Sequence, residues 1–309
     1  MELDSWLVST FARALAYSTP LLLAALGEIY AERSGVVNLG VEGMMILGAI
    51  LGFIGAQASG SAWVGILCAL GVGSLAGLLH AFISVTLKAN QFVSGLALTI
   101  FGLGLSGLLG RGWEGRPLAS AMEPVTVPLL ADIPLLGPAL FTGQHILTYL
   151  ALVVAALLWV VLYRTRLGLT LRSVGESPAA ADAAGINVTL VRYGAVIFGG
   201  AMAGIAGAYL SIAYRPSWSE GMTAGMGWIA LAIAIFAAWD PFRAIGAAFL
   251  FGAFFHLSFR LQGIFSPELL KMMPYVFTIL ALTLTSLSRW GRKFGAPEAL
   301  GVPYRRGQR

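Results

Sequence analysis

Apolar runs at or near membrane-crossing length follow one another along most of the chain, at 7–30, 43–57, 62–87, 91–110, 144–163, 193–213, 224–239, 244–260 and 271–290. Bilayer hydrocarbon asks for about 20 consecutive apolar residues per helix and admits no irregular backbone against lipid. The runs therefore predict an all-α, polytopic integral membrane protein with about nine transmembrane helices. The second run is short, so the expected count lies between about eight and ten. Composition agrees: 58% of the 309 residues are hydrophobic, 11% are charged, and mean hydropathy is +0.84. An ionisable group costs roughly 2.5–3.5 kcal/mol at the centre of a membrane helix, so charges gather between the runs.

Where they gather sets an orientation. Arg164, Arg166, Arg172 and Arg192 flank one polar interruption, and Arg289, Arg292, Lys293, Arg305, Arg306 and Arg309 crowd the end of the chain. Cytoplasmic flanks of membrane helices carry such excess, which places both regions inside and the N-terminus outside. Arg33, Lys88 and Arg243 then also fall inside, and Arg111, Arg116, Arg215, Arg260 and Lys271 outside: thirteen against five. The net charge of +5 is thus a matter of topology and does not point to nucleic acid. The chain is expected to be one transmembrane domain, 1–309, with a cytoplasmic segment at 164–192 and a cytoplasmic basic tail at 291–309. No short cleavable signal is recognised before the first run, so insertion is expected to use that run itself. The single cysteine, Cys68, excludes an internal disulfide and a cysteine-based metal site.

The interruption at 164–192 holds an alanine block that starts after Ser177-Pro178 and stops at Gly185. Serine as cap, proline at the first helical position and glycine past the end punctuate a short helix. A short helix outside the bilayer, held between two spans, is placed to touch something else. On the opposite side, 111–143 carries Pro117, Pro124, Pro128, Pro134 and Pro138 and reads as a structured loop. Glycines at 71, 73, 77, 95, 102, 104, 107, 199, 200, 204 and 207 predict close helix packing. Two glycine-broken segments, 35–43 and 221–228, suggest discontinuous helices, as found along transport pathways. Two structurally related halves, 43–163 and 193–290, are a further expectation.

Several chemistries are missing. With lysine only at 88, 271 and 293, no Gly-rich phosphate loop ending in Lys is present, so ATP use must come from another polypeptide. His80, His145 and His256 lack metal-ligand spacing and are expected to hydrogen-bond at or within spans. Neither a nucleophile elbow nor a zinc-protease helix motif occurs, and no nucleophile–base pairing suggests an intramembrane enzyme. Glu28 and Glu32 share a helix face, with Arg33 as a local partner, and a structural role near the boundary is expected of Glu28. Asn38 and Glu42, four apart, would either line a polar path or cap a helix end. An ion-coupled transporter working alone would need a carboxylate at membrane depth, for which Glu28 and Glu42 are the early candidates.

The stretch 27–45, GEIYAERSGVVNLGVEGMM, closely resembles the first signature of permease subunits of ABC importers for nucleosides and simple sugars. The stretch 171–186 looks like their cytoplasmic coupling segment, through Gly175, Glu176, Ser177, Pro178, Ala180, Ala181, Gly185 and Ile186. Ser177 stands where asparagine is common, a change that leaves capping intact. Residues 225–236 with Trp239-Asp240-Pro241, and 297–305, are similar to the shorter permease of the nucleoside-type systems. The resemblance spans essentially the whole chain. It implies a bacterial inner-membrane subunit forming half of a translocation pathway, with nucleosides as cargo and ribose- or galactose-type sugars as the alternative. It implies three partners: an ATPase that holds ATP and magnesium (none being held here), a second related permease, and an extracytoplasmic substrate-binding lipoprotein. Candidate pathway residues are Asn38, Glu42, Gln91, Ser94 and Trp228, since amides can bond a ribose and aromatic faces can stack on a base.

Overall fold

A computed structural model describes residues 2–134, 137–261, 265–266, 269–270, 272–273, 276–280, 283 and 295–306. Ten α-helices are delimited among them: α1 (Glu2–Arg33), α2 (Val41–Ser59), α3 (Ala62–Ala81), α4 (Gln91–Gly110), α5 (Ile146–Arg164), α6 (Arg166–Glu176), α7 (Pro178–Ala183), α8 (Val188–Ala208), α9 (Met226–Phe236) and α10 (Pro241–Arg260). Seven of these, α1 to α5, α8 and α10, are long and apolar enough to cross a membrane. The chain is a multi-pass, all-helical membrane protein. The run expected at 224–239 gives only the 11-residue α9, too short to cross alone at 1.5 Å per residue. The run expected at 271–290 lies mostly outside the described residues.

The helices sort into a centre and a rim. The membrane-length window of α1 is 94% buried and that of α5 only 28%, so α1 is wrapped by its neighbours while α5 turns a leucine and valine face outward. Lipid gives apolar helices no hydrophobic reason to associate, so the centre is held by close backbone approach. A methyl group at Gly200 of α8 would lie 2.2 Å from the Gly73 carbonyl oxygen of α3, and one at Gly207 would lie 1.8 Å from the Met45 oxygen of α2. The expected packing role fails at Gly71 and Gly104, which face open space. Periodicity along a helix cannot tell a rim-facing glycine from a centre-facing one.

At two places the chain departs from α geometry at a helix end: α3 runs into a π-helical turn at Phe82–Thr86, and α8 into another at Tyr209–Tyr214. The proline-rich loop closes with a two-residue antiparallel pair, Pro124–Val125 against Gln144–His145, and Trp218 is buried beneath Gly110. The most consequential break separates α1 from α2. Residues 34–40 are not helical, yet Ser34, Val36 and Asn38 are fully buried.

Backbone-on-backbone contact makes a sharp prediction. Gly200→Ala puts a methyl against backbone that no rotamer change can move, at an expected cost of about 1–3 kcal/mol. Gly104→Ala should leave thermal unfolding in detergent unchanged. Equal melting of the two variants would refute the packing described.

Candidate coupling and gating site

The polar interruption folds into two short helices at one end of the bundle. Thr165 caps α6, its hydroxyl accepting from the Gly168 amide at 3.3 Å, and Leu171 and Val174 turn inward. Sequence reading anticipated α7 but not α6. The three arginines of 164–172 marked a flank, whereas the buried pair three residues apart was the helix signal. At α7, the Ser177 hydroxyl accepts from the Ala180 amide at 3.4 Å and Pro178 takes the first helical position. The far end closes with amides of Gly185 and Ile186 donating to the carbonyls of Asp182 and Ala181, at 2.9 and 3.0 Å. Gly185 sits at φ +84°, the left-handed position that this helix ending requires and glycine adopts without strain. Ala181 is buried against Val174 and Val188, with Ile186 and Tyr304 alongside. Glu176, Ala180 and Gly185 face outward and Gly175 is buried, packed so tightly on α1 that a methyl there would lie 2.1 Å from the Arg33 carbonyl oxygen.

Asn38, Gln91 and Ser94, three of the residues proposed for a pathway, converge around the break at 34–40. The Gln91 carbonyl oxygen accepts from the Val37 amide at 2.8 Å, and His80 bridges Ser94 at 3.0 Å to the Val37 carbonyl at 2.9 Å. The Asn38 side-chain oxygen accepts from the Gly40 amide at 3.0 Å, and the Asn38 backbone amide donates to the Glu28 carboxylate at 3.0 Å. Thr99 donates to the Leu39 carbonyl at 2.9 Å. Inside a membrane protein each unpaired backbone group costs several kcal/mol, roughly, so a buried non-helical segment needs these side chains. Ser94 also borders a lateral apolar hollow of about 420 Å³ between α3 and α4. Trp228 is half-buried one residue beyond the next contact.

That contact is made by Glu42. Its carboxylate accepts from the Thr223 hydroxyl, from the Gly225 amide at 3.0 Å and from the Gly227 amide at 2.7 Å. The donors form the N-terminus of α9, where a carboxylate matches the positive end of the helix dipole. The other end of α9 meets α1. Arg33 donates to the carbonyls of Ala238 and Trp239, both at 3.2 Å, and Trp239 donates its indole N–H to Glu32. The pairing of Arg33 with a neighbouring carboxylate, expected from helical spacing, is replaced by this reach across the fold. Carbonyls left over at a helix end offer a cation two acceptors at once. Asp240 then caps α10, accepting from Phe242 and Arg243.

Two structural features escaped the sequence. Arg192 reads as one more basic flank, but it is 1% exposed, its guanidinium donating to the Ser34 and Val302 carbonyls at 3.1 Å each. The end of the chain is likewise no free tail over its described residues: 297–306 lie across the base of α1, α6, α7 and α8. Tyr304 donates to Asp182 at 3.1 Å and Arg306 pairs with the same carboxylate at 2.9 Å. Burial first, then this bond, holds the Tyr304 phenol above its ordinary pKa. At the opposite end, Tyr17, Tyr214 and Phe255 surround a hollow of about 150 Å³ with Met222 and Met226. The rings of Tyr17 and Tyr214 have centroids 4.8 Å apart; those of Tyr17 and Phe255 are parallel to within 3° at 6.1 Å.

Residues 10–282 match the family described as branched-chain amino acid transport system / permease component. TsgC13 of Haloferax volcanii, a provisionally named glucose ABC transporter permease protein, is 38% identical over 94% of this chain and 95% of its own. The guanosine ABC transporter permease protein NupQ of Bacillus subtilis is 37% identical over 96% of each chain. The nucleoside ABC transporter permease protein NupC of Lactococcus lactis is 38% identical over 95% of each. Among solved structures, an inward-facing ABC transporter provisionally classed as metal-chelate type shares the fold, with a TM-score of 0.50 at 16% identity over 89% of this chain and 83% of that one. A bundle of apolar helices with short helices exposed at one end, matched over nearly its whole length by these relatives, belongs to the ABC transporter permease family and is a transport subunit, not an enzyme.

Proposed function

We propose that this permease serves an ATP-driven importer of nucleosides. It lies in the bacterial cytoplasmic membrane, N-terminus outside and C-terminus inside, and forms half of the pathway beside a second related permease. A separate ATPase supplies ATP and magnesium, and an extracytoplasmic lipoprotein captures the solute. The full-length similarity to NupQ and NupC carries this reading. The glucose relative is just as similar, so a simple-sugar importer is the second reading. The hollow between Tyr17, Tyr214 and Phe255 supports the first, because its aromatic faces suit a planar base, with Arg215, Ser217 and Ser219 at hand for polar groups.

The coupling set is Gly175, Glu176, Ser177, Pro178, Ala180, Ala181, Gly185 and Ile186. The motion of the ATPase enters at α7, whose exposed surface is nearly all alanine and glycine, and re-poses the spans packed behind it. Asn38, Glu42, Gln91 and Ser94 then act around the pathway by holding its broken helices, and half-buried Trp228 lines it.

Two measurements test these assignments. Gly185→Val meets no neighbour within 4 Å, but it strains a left-handed residue by roughly 1–2 kcal/mol. Expression should persist while solute-stimulated ATP hydrolysis by the assembled transporter falls; unchanged stimulation refutes the coupling role. In proteoliposomes holding all partners, we expect ATP-dependent uptake of guanosine and not of glucose. Tyr214→Ala should raise the guanosine KM about three- to tenfold, the loss of one aromatic contact. Uptake of glucose alone would move the cargo to the sugar class.

A further inference from the structure

The segment 297–306 touches four separate parts of the fold, and most of these contacts use backbone. The Ala299 amide donates to the Gly175 carbonyl at 2.9 Å, at the C-terminus of α6. The Gly301 amide donates to the Gly35 carbonyl at 3.1 Å, inside the break between α1 and α2. The Val302 carbonyl accepts from Arg192 of α8, which also holds Ser34. Tyr304 and Arg306 both engage Asp182 of α7. The segment is itself folded, with Leu300 and Val302 amides donating to Pro297 and Ala299 and Gly301 at φ +77°.

We infer that 297–306 is a transmission strap, with Arg192 as its positioning residue, which carries motion of α7 to the broken segment 34–40 and so to the Glu42–α9 contact. The inference rests on the coupling role proposed for α7. Direct packing of Gly175 on Arg33 offers a rival route through α6, but the strap alone hydrogen-bonds both α7 and the break among the described residues. Its exposed ion pair adds little; exposed pairs contribute about 0–1 kcal/mol. Stiffness comes from the backbone bonds and from one guanidinium gripping two carbonyls. An ammonium at that position keeps the charge without the fork.

The test uses the complete transporter in proteoliposomes, reading uptake, ATP hydrolysis and thermal unfolding together. Arg192→Lys is expected to leave ATP hydrolysis and melting near the parent values while uptake per ATP falls about tenfold. Unchanged uptake per ATP, or a fall that merely tracks lost folded protein, overturns the strap. A second variant guards against misfolding: Asp182→Cys with Tyr304→Cys in a Cys68→Ser background, joined by a short bis-maleimide. Because strap and α7 travel together, the linked transporter should keep its uptake; arrest on linking overturns the inference. Gly185→Val in the same assay separates the two readings. If it uncouples and Arg192→Lys does not, the strap fails and the coupling role stands. If it stays coupled, the role of α7 fails first.

Discussion

A stretch of non-helical chain buried in a membrane protein is the constraint around which this structure is built. Residues 34–40 have no helix to satisfy their amides and carbonyls, and most of them are buried. Gln91, His80, Asn38, Glu28 and Thr99 supply partners from within, and Arg192 and the end of the chain supply them from below. Each of these groups would be expensive to bury alone, and here each makes at least one hydrogen bond to the break. The break thereby joins α1, α2, α3, α4 and α8, which lie far apart in sequence.

That arrangement engages the polar residues near 38–42. Asn38 and Glu42 were candidates both for a path and for capping, and each side chain accepts from backbone amides, Glu42 from the Thr223 hydroxyl as well. Their bonds hold discontinuous helices in place: irregular backbone persists in a membrane only where protein or a cavity surrounds it. The π-helical turns ending α3 and α8 stand at opposite ends of the bundle, the first beside Lys88 and the second at the aromatic hollow. Both mark places where the helices leave regular geometry near their ends.

Much of this was legible in the sequence and some was not, for physical reasons. Long apolar runs announce spans because lipid imposes one length and one secondary structure. The punctuation around Pro178–Gly185 announces α7 because capping is local chemistry. The long reaches are illegible: nothing in residues 188–196 says that Arg192 will find Ser34 and Val302, and a basic residue beside a span ordinarily faces water. Arg33 was assigned a neighbour on its own helix and found the end of α9 instead. The glycines at 71 and 200 look alike in sequence, yet one faces open space and the other a carbonyl 2.2 Å away. Local rules find the elements; which element meets which is decided by partners hundreds of residues off.

The half-helix α9 is matched in charge at both poles, with the Glu42 carboxylate on its amide end and the Arg33 guanidinium on its carbonyl end. In transporters that carry anions, the naked amide end of such a half-helix is the attraction for the cargo's negative group. Here an internal carboxylate already sits in that seat. A phosphorylated or carboxylated solute would find no unmatched positive pole at this spot, whereas an uncharged solute would lose nothing by passing it.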